Sequence, residues 1–303
     1  MAVDVLCIGR AAYDVSFLLP EYPLEDSKYE VEVIREAGGG PAANAAYLLA
    51  LWGVPCAFGG LVGDDLYGRR IAEEFRAVGT DVSLLELRPG HTTPLSGIIV
   101  NRARGSRTIL SKKIATARLA LAARALARLE PKVLLFDGHE LDASLAALRE
   151  FPRARAILDA GSVRRGTLDL AGKVELLAAS ERFARDFARL PDLRTEERRR
   201  AALAALRAEF RTNVVVTLGA EGLVWDSGAG FNFLPARPVV AVDTTAAGDI
   251  FHGALAYGVL HDMALPAALE LASVAAALSV QEEGGRQSIP ARAAAEEALA
   301  RGR

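Results

Sequence analysis

Short apolar runs alternate along this chain with longer segments rich in alanine, leucine and arginine. The short runs predict strands at Val54–Gly59, Lys132–Phe136, Ala156–Leu158, Val174–Leu177, Asn213–Thr217 and Val239–Val242. The longer segments predict helices at Pro41–Trp52, Asp65–Val78, Thr116–Leu129, Glu196–Phe210, Ala247–His261 and Pro266–Gln281. Because apolar strands separated by helices are typical of parallel sheets, the pattern predicts an α/β fold with a mostly parallel central sheet flanked by helices on both faces.

Two stretches interrupt this alternation. Residues 15–34 and 93–111 have strand-like content without intervening helices, and Lys28–Ile34 alternates charged and apolar residues with period two. Such alternation indicates a half-exposed antiparallel strand, so we expect the two insertions to pair as a small β-sheet lid. Ordinary surface hairpins are the alternative. The expected division is an α/β core of residues 1–12, 38–90 and 115–303 with a β lid of residues 13–37 and 91–114.

Composition narrows the class of protein. The 303 residues are 51% hydrophobic, and the formal net charge of −2 provides no overall field that would attract nucleic acid or a membrane. Cys7 and Cys56 lie in apolar runs, as buried reduced thiols do, and the four histidines show no zinc-ligand spacing. No apolar stretch approaches ~18 residues and the chain begins on a strand-like run, so we expect a soluble cytoplasmic protein.

The most informative segment extends from Val242 to Leu255. Its sequence predicts a loop that follows the predicted strand Val239–Val242 and leads into a long apolar helix. Small residues at 246–248 let a ligand approach the backbone, and free N–H groups at a helix start favour an anion. Asp249 follows at once, placed to accept a proton from an attacking hydroxyl group, and the helix start should keep it ionised. Phosphoryl transfer uses both features, although such a residue often only complements the helix dipole.

The run Asp243–Leu255 resembles the C-terminal signature of the ribokinase (PfkB-type) family of carbohydrate kinases, Asp-Thr-x-small-small-Gly-Asp. Other landmarks of that family are matched in the family's order, at Gly38–Asn44, Gly60–Gly68, Thr217–Gly222 and Gly284–Pro290. Together these segments span nearly the whole chain. The resemblance implies a ribokinase-like fold with a small β-sheet lid and ATP-dependent transfer of the γ-phosphoryl group to a sugar hydroxyl group.

The resemblance also implies roles for individual residues. It makes Asp249 the catalytic base and the backbone of Ala246, Ala247 and Gly248 the anion hole. The residues implied in sugar binding are Asp14, Gly39, Gly40 and Asn44, and those implied in ATP binding are Thr217, Gly219, Gly222 and Gly248. Without that resemblance, a tight turn would explain the glycines and a helix-start hydrogen bond would explain Asn44.

The cofactors and the sugar partner follow from the same resemblance, whereas a second copy of the chain is expected because it could cover the edges of a projecting lid. Mg²⁺ is expected with ATP, because a metal ion must offset the charge of the polyphosphate. A monovalent cation such as K⁺ is expected near Asp243, Thr245, Gly284 and Ser288. The expected partners are a small-molecule sugar and a second copy of the chain, which would form a homodimer through the lid.

Three positions depart from the family pattern. Ala246 replaces a more usual Gly, although the pattern tolerates a small residue there. Ser180–Phe183 stands where the family often has Asn-x-x-Glu, a segment linked to Mg²⁺ and phosphate, so the metal-organising residue is left open. His252 stands one helical turn after Asp249, where many relatives have Asn or Val, and either faces the site or packs into the core.

The sugar itself is less constrained. Details at Ser27–Tyr29 and Gly284–Arg286 resemble the branch that contains sulfofructose kinases and neighbouring ketose kinases. Lys28 and Arg107 are candidate contacts to the sugar, because cationic donors suit hydroxyl and anionic groups. His139 is a third candidate, because it follows a buried strand at the sheet edge where α/β folds bind their ligands. Exposed lid charge is the alternative for Lys28, and a backbone hydrogen bond is the alternative for His139. We therefore expect a ketose such as fructose or sulfofructose.

Two rival functions stay open. An adenosine-type nucleoside kinase shares this architecture and would stack its base on aromatic lid residues, for which Tyr13, Phe17, Tyr22 and Tyr29 are available. The second rival is a non-catalytic sugar-binding regulatory protein on the same fold. An intact Asp249 argues against that second function.

Overall fold

The computed structural model describes residues 3–112 and 118–301. The strands are β1 Val5–Ile8, β2 Ala12–Leu19, β3 Val33–Gly39, β4 Cys56–Gly63, β5 Asp81–Arg88, β6 Leu95–Asn101, β7 Ser106–Ser111, β8 Val133–Phe136, β9 Arg155–Ala160, β10 Leu176–Ser180, β11 Asn213–Thr217, β12 Leu223–Asp226 and β13 Asn232–Leu234. The α-helices are α1 Pro41–Leu51, α2 Leu66–Ala77, α3 Ala123–Leu126, α4 Leu141–Glu150, α5 Arg165–Ala171, α6 Glu181–Ala188, α7 Glu196–Phe210, α8 Ala247–Leu260, α9 Leu265–Ser279 and α10 Arg292–Arg301.

The central sheet has nine strands in the order β13-β12-β11-β10-β9-β8-β1-β4-β5. Its strands are parallel except at one edge, where β12 and β13 run antiparallel to their neighbours. In β1, Val5 and Cys7 pack with α1, α2, α8, α9 and α10, whereas Leu6 and Ile8 pack with the helices of the other face. Burial on both faces explains why these strands read as continuous apolar runs. The predicted α/β fold is confirmed.

The two predicted insertions form a separate four-stranded sheet in the order β3-β2-β6-β7. β2 pairs in parallel with β6, so the first insertion does join the second. The strand expected at Lys28–Ile34 is wrong in its position, because the strand begins only at Val33. The alternating residues of this segment do not pack on the rest of the protein, because the side chains at positions 28, 29, 30 and 32 are exposed. The division of the chain into core and lid segments stays a prediction.

Most predicted core elements are present, with shifted ends. Asn213–Thr217 and Glu196–Phe210 coincide with β11 and α7. The strand expected at Val239–Val242 is not formed, because Val240 is 83% exposed and the Val242 N–H donates instead to the carbonyl of Val280 at the end of α9. The helix expected at Thr116–Leu129 begins outside the described residues, and within them only α3 is helical.

Parallel strands bring one edge of the sheet together as a functional surface. The carboxyl ends of β1, β8, β9, β10 and β11 lie at the same edge, where α/β sheets bind their ligands. Asp137, just after β8, accepts hydrogen bonds from the N–H groups of Arg10 at 2.8 Å and Ala42 at 3.3 Å. This buried carboxylate therefore fixes the start of α1 against the ends of β1 and β8.

Candidate active site

The loop before α8 is held in shape by Asp243. Its Oδ1 accepts hydrogen bonds from the N–H and hydroxyl groups of Thr245, at 2.8 and 2.7 Å. Its Oδ2 accepts one from the N–H of Gly284 at 3.0 Å, which joins this loop to the segment after α9. Ala246 then takes a left-handed conformation with φ of 59° and begins the helix. The structure thus brings three of the four residues predicted near a monovalent cation into direct contact, and the fourth, Ser288, bonds the nearby Gly285 carbonyl at 2.9 Å.

The start of α8 presents backbone donors to an open space. Within residues 3–112 and 118–301, no acceptor takes the N–H groups of Ala246 and Gly248, and no atom lies within 4 Å of the position that a Cβ on Gly248 would occupy. The N–H of Ala247 is bonded to the carbonyl of Thr244 at 3.3 Å. Of the three backbone groups predicted to form an anion hole, two are therefore free for a ligand and one is already in use.

Asp249 lies in the first turn of α8 and is partly buried. Asn44, in the first turn of α1, donates from Nδ2 to Asp249 Oδ2 at 2.7 Å. Burial, and then the charge of Asp159, raise the pKa of Asp249 to about 7, against opposing contributions from Asn44, His252 and Arg107. The helix start is expected to keep Asp249 ionised at neutral pH, but with a pKa of about 7 only about half of this group is ionised there, because burial raises the pKa. A carboxyl group with a pKa near the working pH suits a general base.

His252 faces Asp159 rather than packing among apolar side chains. Both side chains are buried, and His252 Nδ1 lies 2.9 Å from Asp159 Oδ2 at the end of β9. Burial alone would lower the pKa of His252, but the charges of Asp159 and Asp249 raise it above its usual value. A protonated His252 therefore offsets the negative charge of Asp159 beside the candidate base.

The predicted sugar contacts Asp14 and Gly39 lie together. A Cβ on Gly39 would overlap the Asp14 carboxylate, and one on Gly40, whose φ is 105°, would overlap the carbonyl of Arg10. Glycine is thus required at position 40, where the backbone of Arg10 and a positive φ both exclude a side chain, whereas a side chain at position 39 would displace the Asp14 carboxylate. Burial raises the pKa of Asp14, while Ser96 and the charges of Arg286 and Arg10 lower it. A small cavity lined by Asp14, Gly38, Thr245 and Gly285 connects this strand to the loop before α8.

The three remaining candidate sugar contacts lie in different places. Arg107, on β7, donates from Nη1 to the hydroxyl of Thr244 at 2.8 Å, so it reaches the loop before α8 from the lid. His139 contacts Arg164 through the ring atom Nε2. The backbone N–H of His139 donates to Asp137 Oδ1 at 2.9 Å. Lys28 is exposed between β2 and β3 and makes no hydrogen bond or ion pair to any described residue. The structure therefore places Arg107 close enough for its charge to lower the pKa of Asp249, whereas Lys28 contacts no residue of the site.

The predicted nucleotide residues occupy the loop after β11. Thr217 ends that strand, Gly219 has φ of 58° and Gly222 has φ of 104°. A Cβ on Gly222 would overlap the Leu234 carbonyl, whereas the space around Gly219 is open. β11 lies two strands from β9, so this loop stands about 10 Å along the sheet edge from Asp159 at the end of β9.

The segment Ser180–Phe183, which departs from the family pattern, stabilises the start of α6. Ser180 Oγ accepts from the Phe183 N–H at 3.0 Å and donates to the Gly161 carbonyl at 2.9 Å, so it caps α6. Phe183 is fully buried and Glu181 is exposed. In the described part of the chain, no group of three or more His, Cys, Asp or Glu residues is arranged to hold a metal ion.

Two residues near the site were missed from the sequence. Arg286 is 5% exposed, and its Nη1 donates to Glu74 Oε2 at 2.6 Å. Its Nε donates to Asn44 Oδ1 at 3.3 Å. An arginine beside two glycines and a glutamate on an amphipathic helix both resemble surface residues, and they are separated by 212 positions. No local pattern reveals such a pair.

Comparison with known proteins decides the family. The sequence model described as "pfkB family carbohydrate kinase" matches residues 2–292. The chain belongs to the pfkB family of carbohydrate kinases. Like other members of this family, it is an ATP-dependent phosphotransferase. The family predicted from Asp243–Leu255 and the other signature segments is confirmed.

Individual relatives of this family member support the same assignment. The ribokinase of Bacillus subtilis (strain 168) is 30% identical over 305 residues, covering 98% of this chain and 99% of that protein. Ketohexokinase of Mus musculus is 35% identical over 107 residues, covering 35% of this chain and 36% of that protein. The crystal structure of a provisionally assigned ribokinase from Agrobacterium tumefaciens has a TM-score of 0.87 at 32% identity, covering 99% of this chain and 98% of that one.

Among the described residues of this carbohydrate kinase, none of the helices combines the length and apolar character needed to cross a membrane.

Proposed function

We propose that this carbohydrate kinase transfers the γ-phosphoryl group of ATP to a hydroxyl group of a sugar, with Asp249 as the base. The observation that carries the proposal is the position of Asp249 directly beside the unbonded N–H of Gly248. Asn44 occupies Asp249 Oδ2, which leaves Oδ1 for the proton of the attacking hydroxyl group. With a pKa of about 7, Asp249 is largely ionised in weakly alkaline solution, where it accepts that proton.

The transferred phosphoryl group would lie at the start of α8. The free N–H groups of Ala246 and Gly248 and the positive end of the helix dipole favour its negative charge. Arg107 reaches the same loop from the lid through Thr244, so closure of the lid would bring a guanidinium group to the phosphate. Thr217, Gly219 and Gly222 would contact the nucleotide.

Mg²⁺ fits this site as a partner of ATP. The described residues offer no three-carboxylate cluster, and Mg²⁺ commonly keeps waters and binds substrate phosphates. When bound, it would neutralise polyphosphate charge. A monovalent cation such as K⁺ would lie near Asp243, Thr245, Gly284 and Ser288, where carboxylate, hydroxyl and carbonyl oxygens are brought together.

The sugar would lie between Asp14, Gly39 and Asn44. A carboxylate accepts hydrogen bonds from two sugar hydroxyl groups, and the glycine backbone allows close approach. We propose a ketose such as fructose first and sulfofructose second, which the partial match to a ketohexokinase supports. Lys28 is exposed and contacts none of these residues, which favours a neutral sugar over an anionic one.

The test is ADP release with MgATP, measured by a coupled assay across a panel of acceptors. The panel comprises fructose, ribose, sulfofructose, fructose phosphates, inositol and adenosine. We expect turnover with one sugar, its loss in Asp249→Asn, and its retention in Asp142→Asn, which changes an exposed first-turn carboxylate of α4. Turnover with adenosine alone, or an active Asp249→Asn variant, would refute the proposal.

We further propose that the lid joins two copies of the chain. Several large apolar side chains of the lid sheet and its loops are exposed, namely Tyr22, Leu24, Tyr29, Ile34, Ile109 and Leu110. Such patches commonly mark interfaces, and a second lid would cover them. Sedimentation should show a dimer that Leu110→Asp converts to a monomer, and a monomeric parent protein would overturn this.

A cytoplasmic location stays a prediction.

A further inference from the structure

Arg286 is a buried arginine that the phosphoryl-transfer chemistry does not use directly. Its guanidinium group lies 4.6 Å from the ring centres of both Tyr47 and Phe75, and Nη1 donates to Glu74 Oε2 at 2.6 Å. Its Nη2 is buried and has no hydrogen-bond partner in the described part of the chain. Burying a guanidinium group is costly even when it is paired, so its position needs an explanation.

The explanation lies in the third contact of Arg286. Nε donates to Asn44 Oδ1 at 3.3 Å, and Asn44 Nδ2 donates to Asp249 Oδ2 at 2.7 Å. A guanidinium group has only donors, so the amide oxygen of Asn44 must face Arg286 and its NH₂ group must face Asp249. With the amide reversed, its oxygen would face the carboxylate and its NH₂ group would face the guanidinium, and both contacts would be repulsive.

We propose that Arg286 is a positioning residue that fixes the orientation of the Asn44 amide and, through it, the carboxylate of the base Asp249. This inference rests on the proposed function. As the sugar oxygen bonds to the γ-phosphorus and the bond to the ADP oxygen breaks, the hydroxyl proton passes to Asp249 Oδ1. Oδ2 stays bonded to Asn44 throughout, so the carboxylate cannot rotate away from the attacking hydroxyl group.

Glu74 completes the arrangement and connects it to the lid sheet. Besides pairing with Arg286, its carboxylate accepts the N–H of Gly38 in β3, at 2.9 and 3.1 Å. A Cβ on Gly38 would overlap Arg286 Nη1, so the strand packs directly on the guanidinium group. The same ion pair therefore holds the end of β3 and the amide that faces the base.

The decisive experiment is a double-mutant cycle of Arg286→Lys and Asn44→Ala, read as kcat with the sugar that the wild-type enzyme turns over. Lysine keeps the charge beside Glu74 but has no donor at the Nε position. We expect Arg286→Lys to lower kcat about tenfold with the KM for ATP unchanged, and to have no further effect on kcat in the Asn44→Ala background. An equal fold-loss in both backgrounds overturns the proposal.

The pH profile of kcat gives a readout that mere loss of stability does not move. The groups facing Asp249 are Asn44 of α1, Asp159 of β9, His252 of α8 and Arg107 of β7. Because Asn44 lowers the pKa of Asp249, releasing its amide should move the acid limb of kcat to higher pH in Arg286→Lys. An unchanged acid limb contradicts the proposal.

Further variants guard against misfolding and separate the two proposals. Glu74→Gln with Arg286→Gln removes the buried charge of Arg286 together with the charge of its partner, and it should reproduce the kcat loss of Arg286→Lys. Wild-type kcat in this neutral pair contradicts the proposal. Arg292→Lys, at a half-exposed arginine six positions away, is the matched control and should leave kcat unchanged. An active Asp249→Asn variant would refute the proposed function itself, whereas an additive cycle refutes only the role of Arg286.

Discussion

Asp249→Asn should make the folded protein more stable while it removes the base. Burial and the charge of Asp159 raise the pKa of Asp249 from 3.8 to about 7. A carboxyl group whose pKa is higher in the folded chain than in the unfolded chain binds protons more tightly when folded. It therefore lowers stability progressively as the pH rises from about 4 to about 7, and the loss is complete above that. Asparagine has no charge to bury, and its side-chain oxygen can still accept from Asn44.

The size of the effect follows from the shift of the pKa. At about 1.4 kcal/mol per pKa unit, the ionised carboxylate costs at most about 4 kcal/mol at pH 8 and about 2 kcal/mol at pH 5. Asp249 is partly exposed, so screening by water makes these values upper limits. The stability gained by Asp249→Asn should thus be larger at pH 8 than at pH 5, by up to about 2–3 kcal/mol.

Urea unfolding followed by tryptophan fluorescence at pH 5 and pH 8 measures this difference. Asp142→Asn is the matched control, since it makes the same change at a side chain that is 53% exposed in the first turn of α4, and it should alter the free energy of unfolding by less than about 0.5 kcal/mol. If Asp249→Asn is no more stabilising at pH 8 than at pH 5, the carboxylate is not held at a raised pKa. The interpretation of Asp249 as a base with a pKa of about 7 would then be refuted.

Three smaller perturbations follow from the same geometry. Ala246→Gly should raise the urea midpoint by the equivalent of about 0.5 kcal/mol, because a φ of 59° strains alanine, and a lowered midpoint would argue against that strain. Gly39→Ala should raise the KM for the sugar by about tenfold or more, because the new Cβ displaces the Asp14 carboxylate; steady-state kinetics with an unchanged KM would contradict this. Arg107→Ala should move the acid limb of the kcat profile to higher pH, because the guanidinium group lowers the pKa of Asp249. An unmoved limb would place Arg107 outside the site.

The core of the fold could be predicted because its signals are local. The Val214–Val216 run of β11 is buried on both faces, so its continuous apolar sequence indicates a strand. Thr195 caps α7 by accepting the Arg198 N–H, so the sequence also indicates where this helix begins. Val239–Val242 has the same β-branched content but no neighbouring strand to pair with. Residue type alone therefore favoured a strand that the tertiary structure does not form.

The candidate site likewise has features that local sequence predicts and features that only the folded chain creates. The signature around Asp249 and the order of the other segments predicted the family, and a carboxylate after small residues at a helix start predicted its chemistry. The raised pKa of Asp249 could not be predicted, because it depends on burial and on Asp159, which lies 90 positions earlier in the sequence. Arg286 and Glu74 were missed for the same reason, since only the folded chain brings them to Asn44.

The most direct test of the central claim is kcat of Asp249→Asn with saturating MgATP and the preferred sugar at pH 8. A positioned general base contributes about 10²–10⁴-fold, so the account predicts a fall of that size with ATP binding by calorimetry unchanged. A kcat within about fivefold of the wild-type value would contradict the assignment of Asp249 as the base.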